Sequence, residues 1–315
     1  MLAAVSVCVG TQVISPEETW RAITDFDPQN SNHLLVRHLR IPRTLLAIVV
    51  GAALGAAGAV MQALTRNPLA EPGILGANAG AAAAVAFAIG FLGITGVTGY
   101  MLFGMAGAGL ASLAVYTLGG LRRGTNPVRV VLAGVALTVV LMSLTQVVLI
   151  NSPEQVYDRY RNWMIGSVQG RGEVVLAPAA AMVAAGLVLT LVLARSLDAA
   201  ALGEDLSRSL GARPRVTWSL AAVAVMVLAG AATAAAGPIG FVGLTAPHLA
   251  RSLAGLDHRW VLPYSMLVAA VVMVAADSLG RLVARPGEVG VGIMAALLGG
   301  PFFVILVRRR KIAQL

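Results

Sequence analysis

Asp277 and Arg281 are the two ionisable residues of this sequence whose position could do chemistry inside an apolar stretch. Because they lie four residues apart, they share one face of a helix and can form an ion pair. A charge within a membrane helix is costly, so such a residue is a candidate for function. A carboxylate in this position could bind a cation or carry a proton, and Asp277 is therefore the candidate intramembrane charge.

Other kinds of chemistry lack the residues they need. Lys311 is the one lysine and lies near the C-terminus, so the chain has neither a P-loop lysine nor a buried Schiff-base lysine. Cys8 is the one cysteine, which excludes an internal disulfide and every multi-cysteine metal site. We therefore expect no catalytic residue, no metal site and no cofactor bound by this chain, and ATP hydrolysis only by a separate protein.

The elements that must position these residues are membrane helices. The chain has 315 residues, of which 58% are hydrophobic and 12% charged, and its mean hydropathy is +0.82. A helix needs roughly 20 apolar residues to cross a bilayer, and most of the chain divides into such runs. The sequence predicts an all-α, polytopic bundle of about ten helices in one domain, 1–315. The net charge of +9 then reflects arginines in cytoplasmic loops rather than binding of nucleic acid.

Two of the apolar runs are irregular. Residues 1–14 are too short to span the bilayer, and we interpret them as the distal part of a truncated first helix. The eighth run is interrupted by Pro238 and Pro247, and it could be re-entrant rather than spanning.

Small residues are dense in the apolar runs. Gly51, Gly55 and Gly58 recur at helical spacing. In a membrane such a face lets two helix backbones approach closely, so we expect tight helix packing there and no other role.

The distribution of basic residues predicts the orientation. Most of the 23 lysines and arginines fall on the side of the C-terminus, so we place both termini in the cytoplasm of a multi-pass protein of the plasma or inner membrane. The polar segments 15–38 and 151–172 then lie outside, and the segment 195–214 lies in the cytoplasm.

Both external segments are expected to contain surface helices. Ser15 followed by Pro16 and Glu18 is typical of a helix N-cap with a capping box. The second segment contains Tyr157, Tyr160 and Trp163, which predict a helix at the membrane interface with an aromatic anchor.

The cytoplasmic segment carries an apolar stripe. Leu202, Leu206 and Leu210 recur every four residues in an otherwise charged stretch. The stripe could enter a groove of a partner, or it could pack back onto its own bundle, and the pattern favours neither. On a chain without a nucleotide site, the first alternative would suit coupling to a separate ATPase.

Several distinct motifs follow one another along nearly the whole chain. They occupy residues 40–44 (RIPRT), 62–76, 132–137, 163–166, 202–211, 237–248, 257–259, 277–281 and 299–303. In order and spacing they resemble the permease subunits of the type II ABC importers that take up iron chelates (siderophores), haem and cobalamin. One departure is Gly290, which follows Glu288 and Val289 where that family usually has a proline.

The resemblance implies partners for the chain. They are a second permease subunit, expected to be an identical copy, two ABC ATPase subunits that bind ATP and Mg²⁺, and an external substrate-binding protein. It also implies roles for particular residues. ATPase coupling would fall to Leu202, Gly203, Glu204, Leu206, Leu210 and Gly211, docking of the binding protein to Arg40, Arg43 and Arg281, and the cytoplasmic gate to Asn126, Pro127 and Val128.

The resulting hypothesis is an importer permease that moves its substrate by alternating access at a dimer interface. A ferric siderophore is the first choice of cargo, and haem and cobalamin follow. Two other classes stay open: a secondary carrier that is driven by an ion gradient through Asp277, and a membrane-embedded enzyme or scaffold that needs no ATPase.

Overall fold

The computed structural model describes residues 1–10, 12–119, 127–209, 211, 213–284 and 287–309. Every regular element within these ranges is a helix. In chain order they are α1 (Leu2–Cys8), α2 (Pro16–Thr24), α3 (Ser31–Leu35), α4 (Ile41–Thr65), α5 (Ala77–Leu92), α6 (Val97–Leu118), α7 (Pro127–Ile150), α8 (Glu154–Met164), α9 (Glu173–Val192), α10 (Ala194–Ala201), α11 (Glu204–Ser209), α12 (Pro214–Ala236), α13 (Val242–Ala254), α14 (His258–Val283) and α15 (Val291–Arg309). A π-helical turn, Val36–Arg40, joins α3 to α4, and a 3-10 turn, Pro72–Leu75, precedes α5.

Six helical stretches of the described chain are long and apolar enough to cross a membrane. They are Ser31–Thr65, Val97–Leu118, Val128–Ile150, Glu173–Val192, Pro214–Ala236 and His258–Val283. α5 and the apolar part of α15 are shorter. The predicted all-α, polytopic bundle is confirmed, and its apolar runs form a mixture of full-length and shorter helices.

α4 is the central helix, and α9, α12, α13 and α14 pack around it. Its glycines explain how the backbones come so close. A Cβ at Gly55 would overlap the carbonyl of Ser265 in α14, and one at Gly58 would overlap the carbonyl of Gly243 in α13. The packing predicted from the glycine spacing is therefore confirmed, because no larger residue fits at these crossings.

The eighth apolar run forms a short helix. α13 has 13 residues, so it extends only about 20 Å and cannot cross a hydrocarbon core of about 30 Å alone. The chain before it is non-helical and includes Pro238, whereas Pro247 lies inside α13 without ending it. The predicted interruption is confirmed at the first proline.

Ser15 begins the first polar segment as predicted. Its hydroxyl oxygen accepts a hydrogen bond from the backbone N–H of Glu18 at 3.1 Å, and Pro16 is the first residue of α2. The carboxylate of Glu18 does not complete the capping box. It accepts a hydrogen bond from Asn30 at 2.8 Å instead, because α3 begins next to it, and the two surface helices are thereby joined.

Trp163 of the second polar segment is not an interface anchor. Its side chain is 2% exposed and packs in an apolar cluster with Val85, Tyr100 and Ala229. α8 lies against α5, so its last turn points into the protein, and Tyr157 is the aromatic residue that stays exposed.

Candidate functional site

An ion-pair cluster joins the start of α4 to the end of α14. The guanidinium of Arg43 donates to both carboxylate oxygens of Asp277 at 2.7 to 3.1 Å, and to Glu288 at 2.7 Å. The predicted pair also forms, since Arg281 Nη2 lies 3.0 Å from Asp277 Oδ2. Asp277 is 2% exposed, so its carboxylate is buried together with its two cationic partners.

Arg281 also binds α1. It is 2% exposed and donates hydrogen bonds to the carbonyl oxygens of Ser6 and Val9 at 2.9 and 2.5 Å. A third bond of 2.6 Å goes to the hydroxyl of Ser6. These contacts hold α1 against α14.

Arg40 completes this attachment from the π-helical turn before α4. Its guanidinium donates to the carbonyl oxygens of Val7, Cys8 and Gln12 at 3.1, 2.7 and 2.6 Å. Carbonyls at the C-terminal end of a helix lack partners within the helix and carry partial negative charge. Arg40 is 5% exposed and caps the end of α1.

The structure thus brings together the three arginines that the resemblance assigned to docking. Arg40 and Arg281 are bonded inside the chain, and the side chain of Arg43 is 12% exposed. Their docking role stays a prediction. No local sequence pattern indicates the bond between Arg43 and Asp277, because the two residues are far apart in the chain.

A cavity of about 280 Å³ lies beside the cluster. It is lined by Gly10, Leu35, Leu39, Arg40, Arg43, Gln169, Gly170, Arg171, Arg281 and Glu288. Residues of both segments predicted to be external meet here, so these segments lie at the same end of the bundle.

Arg171 is a member of this site that sequence reasoning missed. It is 7% exposed, and its Nη1 atom has no hydrogen-bond partner among the described residues. Burial lowers the pKa of Arg171 to about 10, and the hydroxyl of Tyr100 partly opposes this shift. A lone arginine between Gly170 and Gly172 has no pattern that would reveal its proximity to Arg40.

The predicted coupling segment forms two short helices, α10 and α11, with different surroundings. Leu197 of α10 is fully buried. Leu202 and Leu206 are 56% and 52% exposed. Gly203 separates the helices with a φ of +102°. Leu210 lies outside the described residues.

Two further residues of the coupling prediction mark the ends of α11. Glu204 is its first residue, and Gly211 follows it with a φ of +79°, a conformation that favours glycine. The motif therefore encodes a short helix between two glycine-dependent turns.

A hydrogen-bonded pair ties α10 to the start of α14. Asp198 Oδ1 lies 2.6 Å from His258 Nδ1 and accepts the backbone N–H of His258 at 3.0 Å. The neighbouring Asp257 caps α14 by accepting the backbone N–H of Arg259. Residues 257–259 therefore join the coupling segment to a membrane helix.

The predicted gate residues lie at the start of α7. Pro127 is its first residue and Val128 is 64% exposed, whereas Asn126 lies outside the described residues. α7 is the least buried of the six long apolar stretches, with 17% of its apolar window inside the protein.

Glu71 fixes the turn before α13. Its carboxylate accepts the backbone N–H of Phe241 at 3.2 Å. Burial raises the pKa of Glu71 above its usual value, and the hydrogen bond from Phe241 partly opposes this. Within the described ranges, no three histidine, cysteine, aspartate or glutamate side chains are placed to hold a metal ion.

Comparison of the fold with solved structures gives the class of protein, which is a multi-pass permease of the ABC importer type. A solved structure, described as an inward-facing conformation of a metal-chelate type ABC transporter, matches with a TM-score of 0.85 and 27% identity. The match covers 98% of this chain and 95% of that chain.

Sequence comparisons give the family. The chain is 42% identical over 287 residues to the ferric enterobactin transport system permease protein FepD of Escherichia coli (strain K12), covering 90% of this chain and 84% of FepD. It is 38% identical over 313 residues to the iron(3+)-hydroxamate import system permease protein FhuB of Bacillus subtilis (strain 168), covering 98% of this chain and 80% of FhuB. Residues 1–309 match the FecCD transport family, and the chain belongs to this family. It is a membrane permease subunit.

Proposed function

We propose that this chain is the permease subunit of an ATP-driven importer of ferric siderophores. The names of FepD and FhuB support an iron chelate as the cargo, because both refer to complexes of ferric iron. The two chelates differ in chemistry, so the proposal names the class of cargo and not one compound. Haem and cobalamin are the second and third candidates.

The observation that carries the proposal is the exposed apolar surface formed by Leu202 and Leu206. Its neighbour α10 is anchored to the bundle through Leu197 and Asp198. Such a surface needs a partner with an apolar groove. We assign it to an ABC ATPase that binds ATP and Mg²⁺, because this chain has no lysine in a P-loop.

The transport path would lie between two permease subunits, with an identical copy as the second subunit. α7 presents an exposed apolar face that either lipid or this copy would cover. Asn126, Pro127 and Val128 at its start would form the gate on the ATPase side. The chain would span a bacterial plasma or inner membrane with both termini in the cytoplasm. The arginine cluster would lie on the opposite, external side, where the binding protein would dock.

Uptake by the reconstituted complex tests this assignment. The permease would be placed in liposomes with its ATPase and binding protein, and supplied with labelled catecholate and hydroxamate siderophores, haem and cobalamin. We expect uptake of a ferric siderophore with ATP and none with a non-hydrolysable ATP analogue. Uptake of haem or cobalamin alone would contradict the cargo, and an ATPase that fails to assemble with the permease would contradict the function.

A further inference from the structure

The surface helix α2 exposes an apolar side. At 3.6 residues per turn, Thr19 and Ala22 lie about 60° apart on the helix, and both are buried against the protein. Trp20 and Ile23 form a second side, about 100° further around, and they are 66% and 50% exposed. The side of α2 that packs on the protein is therefore not its most apolar side.

The third side of α2 is polar. Glu17 and Arg21 lie about 40° apart on the helix, and both side chains are exposed. Arg21 Nη2 lies 2.6 Å from Glu17 Oε1, so the two charges form an ion pair at the surface. The helix thus has one side against the protein, one side suited to water, and one exposed apolar side.

α4 indicates the level of α2 relative to the membrane. Residues 44–65 of α4 carry no charge and extend about 33 Å, which is close to the hydrocarbon thickness of about 30 Å. The charged residues at the two ends, Arg43 and Arg66, then lie near the two headgroup regions. α2 packs against the π-helical turn Val36–Arg40, which directly precedes α4. α2 is therefore beside the lipid headgroups at the Arg43 end.

We propose that α2 is an interfacial helix, and that Trp20 and Ile23 enter the headgroup region of the phospholipid bilayer. Helices in this region direct an apolar side with tryptophan toward lipid and a polar side toward water. The indole suits such a place, because its ring is apolar and its N–H can donate to a headgroup oxygen. The inference goes beyond the proposed function, since it depends on the membrane location of the family and not on the cargo or the energy source.

A lipid surface fits this apolar side better than a docked protein does. The bilayer lies beside α2 at all times, whereas a soluble partner covers a surface only while it is bound. Exposed apolar side chains also continue along the chain from α2, with Leu34 on α3, Leu39 on the π-helical turn and Leu45 on α4. All three belong to the apolar stretch Ser31–Thr65, which is long enough to cross the membrane. The apolar side of α2 thus extends a surface that already meets lipid.

Fluorescence quenching tests where Trp20 lies. The chain would be placed in nanodiscs of phosphatidylethanolamine and phosphatidylglycerol, with or without a spin label at carbon 5 of the acyl chains. The signal of Trp20 is the difference between the wild type and Trp20→Phe, so the buried Trp163 and Trp218 stay in place. The matched control adds Arg21→Trp to Trp20→Phe and puts the indole on the polar side of the same helix.

The two positions should respond in opposite ways. We expect the lipid-borne label to quench Trp20 at least about threefold more strongly than the control indole, and dissolved iodide to do the reverse. Equal quenching of both positions by the lipid-borne label would overturn the proposal. Free access of iodide to Trp20 that disappears when the binding protein is added would assign this side to the binding protein and also overturn it.

Hydrogen exchange gives a second measurement that needs no new indole. Trp20→Gln should release α2 from the bilayer and raise the exchange rate of its amides several-fold in nanodiscs. Arg21→Gln removes only an exposed ion pair and should change these rates by less than about twofold. Equal rates in the two variants would overturn the proposal. Neither expected result requires the ATPase or the cargo, so a failure of the proposed function would leave this inference standing.

Discussion

Asp277 lies between two guanidinium groups, so this carboxylate inside a membrane helix has a structural role. An ion-coupled carrier needs a carboxylate that can release and regain its cation during each cycle. Asp277 instead accepts hydrogen bonds from Arg43 and pairs with Arg281 while 2% exposed. At the scale of single residues, this is a fixed structural pair, and it gives no support to the secondary carrier.

Removing the charge of Asp277 should therefore destabilise the protein. Asp277→Asn leaves two buried arginines without a full counter-charge, and we expect a loss of about 3–5 kcal/mol. Asp158→Asn breaks an exposed pair with Arg161 and should cost no more than about 1 kcal/mol. Thermal unfolding in detergent measures both, and equal melting temperatures for the two variants would contradict the structural role.

Arg40 should control the attachment of α1. Arg40→Gln removes charged hydrogen bonds to three carbonyls, so we expect the α1 amides to exchange with solvent about tenfold faster or more. Arg37→Gln is the control, because Arg37 lies in the same turn but is exposed. Hydrogen exchange with mass spectrometry gives the rates, and equal protection of α1 in both variants would contradict the cap.

At the scale of elements, the features that could be predicted from the sequence are those that depend on residues close together in the chain. The N-cap at Ser15 and the close packing at Gly55 and Gly58 were predictable, because a few neighbouring residues specify them. The burial of Trp163 was not, since it depends on how α8 meets α5. The same holds for the ion pair of Arg43 with Asp277, whose partners come together only when α4 packs on α14.

The exposed surface of α11 around Leu206 is predicted to contact the ATPase. Leu206→Glu would place a charge in an apolar interface with the ATPase, and we expect it to abolish ATP-dependent uptake and to weaken ATPase co-purification by about tenfold or more. Ile23→Glu on α2 is a control of equal exposure at the other end of the bundle. Should both variants retain the ATPase and transport equally, the coupling surface would lie elsewhere.

At the scale of the whole molecule, α14 connects the two sites. Its first residue, His258, binds Asp198 of α10, and Asp277 near its other end belongs to the arginine cluster. The two positions are separated by about 28 Å along the helix axis. A rigid helix that contacts both sites can transmit a displacement from the proposed ATPase side to the proposed docking side.

Removing the bonds between Asp198 and His258 should uncouple ATP hydrolysis from substrate uptake. Asp198→Ala removes both bonds to His258, so α10 would move without displacing α14. We expect ATP hydrolysis to continue while substrate uptake per ATP falls several-fold, which parallel assays of phosphate release and uptake would show. Unchanged uptake per ATP would mean that α10 transmits its motion through Leu197 or another helix.

Measuring the source of energy for uptake distinguishes an ATP-driven importer from an ion-coupled carrier. Proteoliposomes with permease, ATPase and binding protein would be assayed for uptake of a ferric siderophore with ATP but with all ion gradients collapsed, and again with an imposed gradient but no ATP. We expect uptake in the first condition and none in the second. Uptake that follows the gradient and ignores ATP would show an ion-coupled carrier instead of an ATP-driven importer.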